Sequence, residues 1–111
     1  MSDSQYVLIE SRDPFDSADT AFVADTAAAL RARGRAVTVY LVQNGVLASR
    51  AGARGSHVPR LAQAGVTVLA DDFSLRERGI EAGDLRAGVR PASIETLVDL
   101  IVRPDAKTVW H

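Results

Sequence analysis

Asp71 and Asp72 stand together where an apolar run, Val66 to Ala70, passes into the polar stretch of the segment VTVLADDFSLRERG. Adjacent carboxylates at such a place can hold a cationic or hydroxylated ligand, or share a hard metal ion with a carboxylate from another loop. If burial raised the pKa of Asp71, it would also serve as a general acid or base. The carboxyl ends of strands in an open α/β sheet line the crevice where ligands bind, so the position carries as much weight as the residue type. The same edge should receive Asn44 after the second strand, Arg12 after the first, and the Ser74 hydroxyl three residues beyond Asp71. Asp71, Asp72, Asn44, Arg12 and Ser74 are therefore the candidate ligand-binding residues. No catalytic residue, metal ligand or cofactor is assigned.

Each of these also has a plainer reading. Asp72 precedes Phe73 and Ser74 at the opening of a helix, where a carboxylate satisfies free amides and suits the positive end of the dipole; capping is the favoured role for Asp72. Arg12 could draw an anion to the first helix, but Asp13, Asp16 and Asp19 surround it and favour simple solvation. Those aspartates with Asp71 superficially suggest a phosphoacceptor pocket, yet the first strand ends in Glu10 and Ser11 and Lys107 precedes the last strand. Gly45, Gly52 and Gly55 lack the Gly-Lys-Ser/Thr ending of a phosphate loop. Ser56 and Ser74 offer hydroxyls and His57 and His111 imidazoles, but no spacing pairs a nucleophile with a base.

The elements that must position these residues follow from period and punctuation. Tyr6–Glu10 is a consecutive apolar run, as in a strand covered on both faces. Asp16 or Ser17 should cap a helix beginning near Ala18, with Phe22, Val23, Thr26, Ala27 and Leu30 on its apolar face and Gly34 after its end. Ala36–Val42 is the second strand, and the connection suits a parallel crossover. Gln43–Ser56 reads as loop with one helical turn. A short helix capped by Ser56 carries Pro59 in its first turn and ends at Gly65. Val66–Ala70 is the third strand, Phe73–Arg78 a short helix, and any fourth strand within Ile80–Gly88 is very short. Ser93 should cap a last helix in which Ile94, Leu97, Val98, Ile101 and Val102 make one apolar face. Thr108–His111 closes the sheet, with Trp110 and Val109 suited to core or to a subunit interface.

Composition bounds the function. The 111 residues make one domain, 1–111, and 47% hydrophobic with 24% charged residues is the profile of a folded globular protein. Thirteen basic against fourteen acidic residues give a formal charge of -1, so no field exists to attract nucleic acid. No apolar run approaches the ~20 residues of a membrane span and no leader pattern is present, so the expected location is the cytoplasm. The chain has no cysteine, which excludes disulfides, thiolate metal sites and chemistry carried on sulfur.

Taken in order, these features resemble the DsrE/DsrF/DsrH family of sulfur relay and oxidation, including its TusD-like subunits. The likeness rests on the alanine-rich first helix ending in Gly34, on Gly45-Val46 after the second strand, on Gly65-Val66 before the third, and on the Ser74–Gly79 run ending in Arg78-Gly79. It implies an α/β fold of three α/β/α layers, flavodoxin- or Rossmann-like, around a mostly parallel open sheet of about five strands. It also implies assembly as dimers, trimers or hexamers, alone or with related subunits. The family's sulfur-carrying cysteine lies eight residues before the glycine of the Arg-Gly pair, the place of Asp71 here. A carboxylate cannot hold and release a persulfide sulfur, so the resemblance points to a non-catalytic or ligand-sensing member linked to sulfur metabolism. The alternative is a small-molecule-binding or acid-base domain built on Asp71.

Overall fold

The computed structural model describes residues 4–15 and 17–111. Five strands, β1 (Gln5–Glu10), β2 (Ala36–Leu41), β3 (Thr67–Asp71), β4 (Val89–Ala92) and β5 (Ala106–Trp110), form one sheet in the order β4-β3-β2-β1-β5. All four pairings are parallel. The helices are α1 (Thr20–Ala32), α2 (Val58–Gln63), α3 (Asp72–Glu77) and α4 (Ile94–Ile101), with 3-10 segments at Gln43–Ser49 and Ala82–Asp84.

The strand order explains the layers. From β1 to β4 each strand is laid beside the last in one direction, whereas the connection through α4 returns past β1 to β5. Right-handed crossovers must then put α4 on the opposite face from the earlier helices. The side chains agree. Leu8, Val39, Val68 and Ala70 pack with Val23, Ala27, Val58, Leu61 and Leu75 on one face, while Val7, Ile9, Tyr40, Val42 and Leu69 pack with Leu97 and Leu100 on the other. Strands buried on both faces are why the sequence shows consecutive apolar residues and no alternation.

The second layer is thin, because among the described residues α4 alone covers its face. The regular apolar pattern of α4 predicts a buried side, yet only Leu97 is buried there; Ile94, Val98, Ile101 and Val102 are exposed. The six apolar residues of α4 and its C-cap span roughly 200° of helix circumference at 3.6 residues per turn. That arc exceeds what one sheet face can cover.

Other boundaries also differ from expectation. The fourth strand lies at Val89–Ala92, just beyond Ile80–Gly88, because Gly88 makes the turn with φ 93° and the strand pairs only from Val89. Helix α1 opens at Thr20, and its N-cap Asp19 makes no side-chain bond. There the Ser17 carbonyl, not its hydroxyl, accepts from Thr20 N–H at 3.4 Å and Thr20 Oγ1 at 3.0 Å; Asp16 lies outside the described residues. Phe22 is exposed, so the packed face of α1 centres on Val23, Ala24 and Ala27. Ser56 Oγ accepts from Val58 N–H at 3.2 Å, one residue ahead of the His57 cap. β5 begins at Ala106 and contains Lys107, leaving His111 just past its end.

Candidate functional site

Strand β3 delivers Asp71 to the carboxyl edge of the sheet, and there the carboxylate caps α3. Asp71 Oδ2 accepts from Ser74 N–H at 3.0 Å and Ser74 Oγ at 2.6 Å, while Oδ1 lies 3.1 Å from the Tyr40 hydroxyl. Capping therefore falls to Asp71, not to Asp72. The reason is backbone geometry: Asp71 is extended at ψ 120°, whereas Asp72 is already the first helical residue. Asp72 is half-buried, with its carboxylate 3.8 Å from Arg76 one turn along.

The network continues on both sides. Ser74 Oγ accepts from Gln43 N–H at 2.9 Å, where Gln43 takes the left-handed φ of 51° as the chain leaves β2. The Tyr40 hydroxyl faces three acceptors, Asp71 Oδ1 and the carbonyls of Ala92 (3.3 Å) and Ser93 (2.9 Å), and it has one proton to give. Burial, then the Asp71 charge and hydrogen bond, then Asp72 and Glu95, push the Tyr40 phenol well above its ordinary value. Thus β2, β3 and the start of α4 are joined through two side chains.

Asn44 is drawn to this region by Arg78, whose Nε and Nη2 donate to Asn44 Oδ1 at 3.2 and 3.0 Å while Nη1 donates to the Ser74 carbonyl at 3.2 Å. Arg12 is not. It borders a separate cavity of about 30 Å³, with Glu10, Thr20, Gly45 and His57 on its wall. Beside the network an open cleft of about 460 Å³ is lined by Asp71, Asp72, Phe73, Arg76, Ser93 and Glu95. Its three carboxylates against one guanidinium disfavour an anion. Asp71 borders the cleft but is buried, its carboxylate already accepting from Ser74 and Tyr40. That arrangement suits a fastener between strands better than a base or ligand contact.

A second buried carboxylate was not singled out from the sequence. Glu10 is 5% exposed at the end of β1 and takes His111 Nδ1 at 2.8 and 2.9 Å on its two oxygens, with Arg12 N–H at 3.1 Å. β5 lies beside β1 at the sheet edge reached by the return connection through α4, so this pair ties the last strand to the first. Backbone bonds tighten the joint: His111 N–H to Ile9 O at 2.8 Å, and Ser11 N–H and Oγ to His111 O at 3.0 and 2.9 Å. The available signal was a charged residue ending an otherwise apolar strand. Its histidine partner lies 101 residues away.

No protein-family model and no curated protein sequence matches the chain. Several solved structures resemble it over nearly its whole length, three of them as follows. MTH1491 of Methanobacterium thermoautotrophicum, described as a protein of unknown function, is 21% identical at a TM-score of 0.84, covering 98% of this chain and 100% of its own. The ychN protein of E. coli is 19% identical at 0.87, covering 97% and 99%. BT1422 of Bacteroides thetaiotaomicron, a conserved protein of unknown function, is 15% identical at 0.77, covering 97% and 95%. With these proteins the chain shares its five-stranded parallel α/β fold.

Proposed function

We propose that this chain is a non-catalytic, self-associating subunit of DsrE-like type, assembling with copies of itself or with related subunits. The observation that carries the reading is the exposed apolar side of α4, Ile94, Val98, Ile101 and Val102, together with Trp110, 63% exposed on the edge strand β5. Trp110 pairs with Ile9 and so faces the α4 side of the sheet. Exposed apolar residues contiguous on one face are the mark of a protein interface, and an aromatic anchor near its centre is where binding energy concentrates.

The fastened Asp71 supports the same reading from the other side. At the place where the family's carriers hold a thiol, this chain has a buried carboxylate already bonded to Ser74 and Tyr40. A role in sulfur metabolism rests on the resemblance alone. Incubating the purified protein with a persulfide donor and measuring its mass tests the non-catalytic half: no stoichiometric gain of sulfur is expected, and such a gain would overturn it.

The alternative, a ligand site centred on Asp71, has the adjacent 460 Å³ cleft in its favour. A panel of metabolites and metal ions that shifts the melting temperature of the native protein but not of Asp71→Ala would favour it over assembly alone.

A further inference from the structure

A cavity of about 370 Å³ away from Asp71 is walled by Asp13 and Phe15 on one side and by the turn Arg50–Arg54 on the other. These walls follow the carboxyl ends of β1 and β2, adjacent parallel strands, so the cavity lies on the ligand edge of the sheet. Phe15 is 74% exposed. Arg50 spends only its Nε, on the Leu47 carbonyl at 2.9 Å, and among the described residues Arg54 has no hydrogen-bond or ion-pair partner. Two guanidinium forks thus face the same space as a bare aromatic ring, with no ion pair to Asp13.

The arginine wall is held in shape. Ala53 N–H donates to Arg50 O at 3.1 Å, closing a turn whose Gly52 takes φ 89°. Arg86 then fastens that turn, donating from Nε to Arg50 O and from Nη2 to Ala53 O, both at 3.1 Å. Ala51 N–H to Asp84 O at 2.8 Å and Arg86 N–H to Ser49 O at 2.9 Å complete the support. Backbone that is pinned while its arginine heads stay unpaired is preorganised for an anion. On the facing wall Asp13 Oδ1 accepts from Phe15 N–H at 3.2 Å, which leaves Oδ2 to accept from a hydroxyl or amino group.

We propose that this cavity binds a nucleoside monophosphate, with the base on Phe15, the phosphate on Arg50 and Arg54, and a sugar hydroxyl or exocyclic amine on Asp13. Two guanidinium charges match the phosphate dianion, and the aromatic face accounts for the exposed ring. The volume falls in the range of small-molecule sites. The proposal does not depend on the assembly state.

Titration calorimetry of the full chain with AMP and GMP, against adenosine and inorganic phosphate as partial ligands, is the test. At least one nucleotide should bind about tenfold more tightly than either partial ligand, since only the whole nucleotide makes the stacking and the phosphate contact together. Arg54→Ala and Phe15→Ala, both at exposed positions, should each weaken it about fivefold or more, Arg54→Lys less, and Arg60→Ala, which pairs with Asp25 and does not line this cavity, not at all. Equal affinity for nucleotide and inorganic phosphate, no heat at millimolar nucleotide, or full binding by Arg54→Ala and Phe15→Ala would each overturn the proposal. So would binding of a single-stranded oligonucleotide without binding of the mononucleotides.

Discussion

The Tyr40 hydroxyl lies 3.1 Å from Asp71 Oδ1, joining the carboxyl end of β2 to the end of β3 beneath the start of α4. Tyr40 is fully buried and Asp71 is 7% exposed, so the contact is removed from solvent on both sides. Together with the Ser74 bonds it makes Asp71 the pin of three elements. Asp71→Ala should therefore lower unfolding stability by about 2–3 kcal/mol, the loss of a helix cap plus stranded hydroxyl partners. Tyr40→Phe should cost about 1 kcal/mol, and the double variant less than the sum, as urea denaturation of the four proteins would show. Additive losses would mean that the two side chains are not coupled.

Alkaline pH should loosen the same joint. The unfolded chain releases the Tyr40 proton near the ordinary phenol value of about 10, whereas the folded chain holds it well above that. Above about pH 10 the folded state thus binds more protons than the unfolded state, and stability falls as pH rises toward the folded value; below about 10 the contribution is intact. Chemical denaturation at pH 8 to 11 should show this decline in the native protein and a shallower one in Tyr40→Phe.

Gly45 is required for packing. An added Cβ would overlap the Glu10 carbonyl oxygen, and that oxygen already accepts from Val42 N–H at 3.0 Å, so neither side can yield. Gly45→Ala should destabilise the fold by about 2 kcal/mol or more, read as a lowered denaturant midpoint. Gly52→Ala meets no neighbour within 4 Å and carries only the cost of its positive φ, a smaller loss.

Glu10 and His111 should act as a latch on the edge strand. His111→Ala leaves the buried Glu10 carboxylate with the Arg12 amide as its remaining partner, a loss of about 1–3 kcal/mol. Because the bond spans β1 and the end of β5, the effect should be local: hydrogen exchange at β5 amides should speed up far more than at β2 and β3, which lie deeper in the sheet.

Much of this arrangement was legible in the chain. Consecutive apolar residues at Tyr6–Glu10, Ala36–Val42 and Val66–Ala70 announced strands covered twice, and Gly34, Gly65 and Ser93 marked helix ends correctly. The placement of Asp71, Asp72 and Ser74 at the strand end was also readable. Which of the two aspartates caps α3 was not, because the choice depends on a single ψ angle at Asp71. The Tyr40 contact and the Glu10–His111 pair escaped because both join residues distant in sequence, 31 and 101 apart, through strand order. The exposed side of α4 was hidden for a different reason: periodicity reveals that a helix is apolar, not how much of it one sheet can cover.

Sedimentation velocity of the purified protein tests the central claim most directly, because the proposed assembly through α4 and β5 would cover the exposed apolar face. The native chain should sediment as a dimer or larger assembly at micromolar concentration, and Val98→Lys and Trp110→Ala should shift it toward an 11.8 kDa monomer with an unchanged circular dichroism spectrum. A native protein that stays monomeric up to hundreds of micromolar, or an assembly that neither substitution disturbs, would contradict the account.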